Sequence, residues 1–285
     1  MAALGIYEKA LPKDLSWLER LSLAGKLGFD FVEMSIDESD ERLERLNWSP
    51  EQIEVIHQAI FQTKIRIPSI CLSAHRRFPL GSESKEIRTE AVRIMKKCIE
   101  LACQLGVRTI QLAGYDVYYE HKTVSSRAYF LENLKKCVAM AEEKGIMLSI
   151  EIMDDPFMSS ISKFLKIKRQ VKSPYLQVYP DLGNLSAWPE NDVAAELELG
   201  CDYISNIHLK DTLSVSSEFP GKFKKVPFGT GCVDFTGCLK TLKSLNYNGS
   251  FVIEMWSEES SRPEEKIIEA KQFLLGKLQE AGYFI

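Results

Sequence analysis

The 285-residue chain predicts a single-domain (β/α)8 TIM barrel, and three observations carry that prediction. Short apolar runs rich in β-branched residues alternate with longer segments of helical periodicity, through eight rounds. Several helical segments stop at a glycine that leads into the next run (Gly28, Gly106, Gly145, Gly200), as suits a residue that enters the left-handed conformation cheaply. Four consecutive runs in the second half then end on a carboxylate or an imidazole: Glu151, Asp181, His208 and Glu254. A doubly wound open sheet would alternate too, but it gathers its site at one switch point, not on four successive strands. The length suits a one-domain barrel, and no repeat, low-complexity tract or linker divides residues 1–285.

In chain order, the expected strands are 4–7, 31–35, 67–73, 109–113, 147–152, 176–179, 203–209 and 250–255. The segment between the third and fourth runs illustrates the helical pattern, with Ile87, Val92, Ile94, Met95, Ile99, Leu101 and Ala102 as its apolar positions. Two connections are long, 114–124 and 210–234. Loops that follow barrel strands close over the C-terminal face, where function resides. From Pro263 onward the chain reads as the eighth helix.

Composition narrows the function classes. Hydrophobic residues make up 45% and charged residues 27%, an ordinary globular balance, and the net charge of −4 gives no electrostatic reason to expect nucleic acid. The seven cysteines are an odd number without a C-x-x-C pair. Reduced thiols in a cytoplasmic protein are therefore expected. No apolar run reaches the length of a membrane span and no export leader is recognisable, so neither membrane nor secretion is expected.

Glu151 lies in "SIEIMDD" and Glu254 in "FVIEMWSE", two near-copies of one local pattern. A carboxylate in an apolar strand must be paired, because an isolated buried charge costs several kcal/mol. A strand-end acid bridging to a neighbouring Lys or Arg would satisfy that need for either residue alone. Asp181, before Gly183 and Asn184, could simply cap a turn, and His208 could be a satisfied core residue. The shared strand-end position of all four favours a metal site, and hard oxygen ligands with one imidazole suit a divalent cation such as Mn²⁺, Mg²⁺, Zn²⁺ or Co²⁺. Asp211 and Asn184 are candidates for supporting the ligands from behind. His57 reads as helical and peripheral.

The strings "AHRRFPLGS", "TIQLAGYDVYYE", "EIMDDPFMSSISK", "VYPDLGNLSAW", "HLKDT", "VPFGTGCVDF" and "IEMWSE" resemble the L-ribulose-5-phosphate / L-xylulose-5-phosphate 3-epimerases of the xylose-isomerase-like barrel superfamily. The resemblance runs from "LGIYEKALP" to the last helix. It implies one divalent metal held by Glu151, Asp181, His208 and Glu254, with Glu151 and Glu254 doubling as the catalytic acid and base, and a phosphorylated ketopentose as substrate. Two departures stand out: Thr230 occupies the place of a Glu in the family's "FGEG", and the loop after His208 ("LSVSSE") is longer. Both bear on loop closure and neither on a ligand.

The chemistry fits these residues. Epimerisation at C3 of a ketose removes a proton alpha to the carbonyl and returns one on the opposite face, which two carboxylates flanking a Lewis acid can do. A phosphorylated substrate also needs cations. Lys9, Arg76 and Arg77 lie near strand ends, and Ser82 sits in the turn "PLGSES", which opens a helix whose free amides suit a phosphate. For the arginines the alternative is a structural ion pair. Glu33 is a candidate for a sugar hydroxyl or for a salt bridge at the barrel mouth. Lys210 and the patch Lys222, Lys224, Lys225 are further basic candidates, and Tyr115, Tyr118 and Tyr119 are candidates for a lid. The competing readings are a free-ketose 3-epimerase, a sugar isomerase or an inosose dehydratase of the same superfamily, and a non-catalytic sugar-phosphate-binding barrel. Association of such barrels makes a homodimer the expected assembly.

Overall fold

The computed structural model describes residues 2–284. The apolar runs become eight parallel strands: β1 (Leu4–Tyr7), β2 (Phe31–Ile36), β3 (Ser69–Leu72), β4 (Thr109–Ala113), β5 (Met147–Glu151), β6 (Leu176–Tyr179), β7 (Asn206–Leu209) and β8 (Ser250–Ile253). They are ordered β6-β5-β4-β3-β2-β1-β8-β7. The remaining seam, β6 to β7, is closed by isolated parallel bridges between Val178 and Ile204 and between Asp181 and His208. There the amides of Ser205 and His208 donate to the carbonyls of Val178 and Pro180 at 3.0 and 2.9 Å. Pro180 has no amide to give, which interrupts the ladder at this point. The predicted barrel is what forms.

Outside the strands run α1 (Trp17–Lys26), α2 (Asp40–Leu43), α3 (Pro50–Thr63), α4 (Lys85–Leu105), α5 (Val124–Glu143), α6 (Ile161–Lys168), α7 (Leu182–Ser186), α8 (Val193–Gly200), α9 (Phe235–Ser244) and α10 (Pro263–Glu280). Their starts are chemically marked. Ser16 and Ser49 form reciprocal capping boxes with Glu19 and Gln52, which satisfy amides that a helix start otherwise leaves open.

Strand alternation sorts the side chains into two environments. Leu4, Ile6, Val32, Met34, Ile70 and Leu72 join the helix residues Ile56, Ile94 and Leu274 in one continuous buried core. Tyr7, Phe31, Cys71 and Val252 make a separate small cluster inside the barrel. Phe31 lies directly over Gly5, where a Cβ would come within 2.1 Å of the ring, so glycine at this position lets the ring fill the barrel floor. The inside is otherwise polar, with Ser69, Gln111 and Ser149 fully buried.

The structure corrects several expected boundaries. β3 starts at Ser69, after Pro68, and stops before Ser73, which leads into a 3-10 turn at Ala74–Arg76. The seventh strand begins at Asn206, since Cys201–Tyr203 forms a 3-10 turn. Gly28, Gly106 and Gly145 are left-handed as expected, at φ 75, 72 and 66°. Gly200 is not: its φ is −98°, and its role is close approach, because a Cβ would lie 2.5 Å from Ile161. All seven cysteines are free thiols. No helix among the described residues is long and apolar enough to cross a membrane.

Candidate metal centre and active site

The four strand-end residues converge. Glu151 ends β5, Asp181 follows β6, His208 lies in β7 and Glu254 follows β8, and each offers a ligand atom within 4.8 Å of all the others. All four are buried, none more than 6% exposed. The β6–β7 seam pairs Asp181 with His208, so the interrupted ladder is also what sets two of these side chains abreast.

Three of the four side chains are held from behind. Asp181 caps α7, its Oδ1 accepting the Asn184 amide at 2.8 Å. The turn-capping role and the site role are therefore compatible, one oxygen for each. Asp181 Oδ2 faces the site, 2.8 Å from the Lys210 ammonium. Asn184 acts through its backbone, while its side-chain amide donates to the Ile152 carbonyl at 2.8 Å. Glu151 receives the side-chain amide of Gln111. His208 lies between two carboxylates, with Nε2 2.7 Å from Glu33 and Nδ1 3.1 Å from Glu151, and its ring packs on Tyr179 at 4.5 Å between centroids.

Glu33 therefore does not stand at the mouth to meet a sugar. It is fully buried and collects the Ser69 hydroxyl at 2.7 Å and the Tyr179 hydroxyl at 2.9 Å as well as His208. Its carboxylate orients the imidazole and favours the proton on Nε2, which leaves Nδ1 toward the acids. Asp211, expected behind His208, faces elsewhere. Its oxygens accept the amides of Thr212, Gly229 and Gly231, each at 2.9 Å, and so tie down the 210–234 loop. Alternation explains this: Lys210, two residues after His208, shares its face, and Asp211 does not. Lys210 reaches into the site, 2.8 Å from both Asp181 and Glu254.

The charges are unequal. Burial first, and Glu254 second, push the Glu151 carboxyl above its usual range. Burial also works against the Glu254 charge, but Lys210 and His208 overcome it and hold that carboxyl down, to about 2. Burial would keep His208 neutral, but Glu33 and then Glu254 raise it. An acid excess in a buried site, with three carboxylates and one imidazole converging, is a donor set that fits a divalent cation.

The other basic candidates separate clearly. Lys9 is paired with Asp37 and Arg77 with Asp40 at 2.6 Å. Ser82 is fully buried, its hydroxyl taken by the Ser84 amide at 3.1 Å, and α4 is capped by Ser84 itself. Arg76 makes no ion pair among the described residues and lies over the rings of Tyr115 and Tyr118. Those rings and Tyr119 stack edge to face as one wall, with centroids 4.7 Å apart at each step. Thr230 is exposed and bonded within its own turn, to the Pro227 carbonyl at 2.8 Å, so the departure at this position leaves the cluster untouched. His57 is peripheral, on α3, with Nε2 at the Gln104 carbonyl.

Gln111, Tyr179 and Ser69 were not singled out from the sequence. The available signal was a polar residue at an inward position of an apolar strand, as in "TIQLA".

A family model described as "Xylose isomerase-like TIM barrel" matches residues 21–276. The chain belongs to this family. Among its relatives, the L-ribulose-5-phosphate 3-epimerase UlaE of Escherichia coli (strain K12) is 52% identical, over 98% of this chain and 96% of that protein. SgbU of the same organism, whose name carries that activity provisionally, is 57% identical over 98% of both chains. Among solved structures, an L-ribulose 3-epimerase superposes with a TM-score of 0.78 at 19% identity, covering 99% of this chain and 96% of the other. A D-psicose 3-epimerase of Clostridium cellulolyticum H10, with D-tagatose, gives 0.79 at 16%, covering 97% and 99%. At such identity the likeness speaks to fold alone.

Proposed function

We propose that this barrel is a metal-dependent 3-epimerase that interconverts L-ribulose 5-phosphate and L-xylulose 5-phosphate. The observation that carries the reading is the convergence of Glu151, Asp181, His208 and Glu254 at the strand ends, in a chain about half identical to a named L-ribulose-5-phosphate 3-epimerase over nearly its whole length. These four residues would hold one divalent ion, of the Mn²⁺, Mg²⁺, Zn²⁺ or Co²⁺ kind, which supplies Lewis-acid polarisation of the ketose carbonyl when bound.

The protein's own groups do the rest. One of the two glutamates takes the proton from C3 and leaves the electron pair in the conjugated enediolate. The other delivers a proton to the opposite face of C3, which inverts the centre and restores the ketone. They come from β5 and β8, so they approach the reacting carbon from different sides. Lys210, beside Glu254, is placed to donate to the oxygen that gains charge. Glu33 and Tyr179 fix the His208 ring, and Asn184 fixes Asp181. Tyr7 packs against the His208 ring and Trp256 against Tyr7, so aromatic rings flank the buried cluster.

The test is proton NMR of L-ribulose 5-phosphate in D₂O with metal-loaded protein, beside a chelator-treated control. Metal-dependent appearance of L-xylulose 5-phosphate carrying deuterium at C3 is expected. Product without deuterium, or equal turnover in chelator, contradicts the mechanism.

A further inference from the structure

We infer that Asp211 is a positioning residue for the reaction: its carboxylate clasps the loop after β7 beside the metal cluster and so keeps Lys210 aimed into the site. The consequence at Lys210 rests on the epimerase reading; the clasp itself does not. Asp211 is 1% exposed, and backbone amides, not a cation, meet its charge. Oδ1 accepts from Thr212 at 2.9 Å and from Val233 at 3.4 Å, while Oδ2 accepts from Gly229 and Gly231 at 2.9 Å each. A buried carboxylate is costly unless its lone pairs are filled, and amide bonds to a charged acceptor are about twice as strong as neutral ones. The four bonds close residues 212–233 into a ring on a single side chain.

The loop's half of the clasp is the string "FGTG". Gly229 is left-handed at φ 83°, which favours glycine. Gly231 is there for close approach: a Cβ would lie 2.1 Å from Asp211 Oδ1 and 2.3 Å from the Thr212 carbonyl oxygen. The Cys232 amide adds a bond to that same carbonyl at 2.8 Å. From Thr212 the stitching continues into the ligand set. Its hydroxyl donates to the Gly183 carbonyl at 2.8 Å, and a Cβ on Gly183 would lie 2.6 Å from the Lys210 carbonyl oxygen. Gly183 lies between Asp181 and the Asn184 amide that caps it, so the clasp and the Asp181 segment are in direct contact.

Within the ring, Leu213 and Lys222 pair as an antiparallel bridge, with amide-to-carbonyl bonds of 2.9 and 3.1 Å. The chain then passes beside the cluster: Lys224 lies 5.5 Å and Lys210 5.6 Å from the same Trp256 ring. Lys225 is left-handed at φ 57° without being a glycine, a conformation that persists only where the surrounding structure imposes it. The two ends held by Asp211 impose it here. Lys210 is bonded to Asp211, and its ammonium stands 2.8 Å from both Asp181 and Glu254. Releasing the clasp frees the turn that begins at Lys210, and a donor shifted by about 1 Å loses much of its value to an oxygen gaining charge. One strand end thus divides its labour: His208 and Lys210 face the reaction, and Asp211 holds the loop.

Asp211→Asn keeps the shape of the side chain but replaces one acceptor oxygen by a donor, so the amides facing it lose their partner. Three readouts test the clasp: kcat and KM for L-ribulose 5-phosphate, Mn²⁺ affinity by electron paramagnetic resonance, and the rate of trypsin cleavage after the exposed Lys222 and Lys225 of the native protein. Asp211→Asn should lower kcat by about tenfold or more with KM close to the parent. Cleavage should quicken about tenfold, and Mn²⁺ affinity should stay as it is. Gly231→Ala, which breaks the clasp from the loop side, should do the same, and the double variant should be no worse than the more affected single one. Parental kcat or parental cleavage in both variants overturns the assignment. So do additive losses, or a kcat that falls only in step with Mn²⁺ affinity. If Asp211→Asn fails to fold, Gly231→Ala, at an exposed position, decides alone. If the parent turns over no ketose, the epimerase reading fails, and the cleavage rates still decide the clasp.

Discussion

Two clusters of buried charge stand at the same end of this barrel, one after β1 and β2 and the other after β5 to β8, and they are balanced in opposite ways. In the first, Glu8 is clasped by Arg20 at 2.7 Å and Arg45 at 2.7 and 2.8 Å, with Arg42 joining Asp37 and Glu258 at 3.2 and 2.8 Å. Burial alone would raise the Glu8 carboxyl, but Arg45, then Arg20 and Arg42, hold it below its usual range. In the second, Glu33, Glu151, Asp181 and Glu254 share only His208 and Lys210 as ion-pair partners among the described residues. The first cluster is closed within the protein. The second is short of positive charge, and a shortage that the chain leaves uncorrected in its own interior marks a place for a cation.

The comparison can be broken from either side. The largest effect should come from Glu151→Gln or Glu254→Gln: epimerisation falls by roughly three orders of magnitude, while the melting temperature stays level or rises because like charge has been removed. A drop in both together would show that the acids serve the fold. Glu8→Gln should do the reverse. It leaves buried guanidinium groups short of a partner and costs about 3–5 kcal/mol of stability in urea unfolding, with turnover per folded molecule kept. A small loss of stability there would remove the contrast.

A third buried titratable group sharpens the comparison because it has no counter-charge. His75 gives Nε2 to the Ala91 carbonyl at 3.0 Å, and burial pushes its pKa down to about 4. Between the ordinary value and 4 the unfolded chain binds a proton that the folded one refuses, so stability present at neutral pH falls as pH falls through this window. The total is about 3 kcal/mol. Unfolding at pH 7 and pH 4.5 should show a smaller difference for His75→Gln than for the parent. Smaller still is Glu33→Gln, which should weaken metal binding roughly 10–100-fold through the freed His208 ring. Unaltered affinity would place Glu33 with the structural acids.

The barrel was legible because strand runs, helix periods and three left-handed glycines are local signals. The ligand quartet was legible because one residue type recurred at one strand position. What stayed hidden depends on partners distant in sequence. For Arg77 an ion pair was one of two readings, but its partner and that of Lys9, Asp40 and Asp37, meet them only in the fold, and Arg76, indistinguishable from Arg77 in "HRRF", makes no ion pair among the described residues. Asp211 lay close to His208 in sequence but on the other face of the chain, where it organises four loop amides, the Val233 amide at 3.4 Å among them. Glu33 and His208 are 175 residues apart, and only barrel closure shows that they touch.

The most direct test of the charge argument is a Mn²⁺ titration of the chelator-treated protein followed by electron paramagnetic resonance, beside Asp181→Asn and Glu8→Gln. One tightly bound ion per chain in the parent, retained in folded Glu8→Gln and lost in Asp181→Asn, is the predicted result. No tight binding in the parent, or binding that survives unchanged in Asp181→Asn, would contradict it.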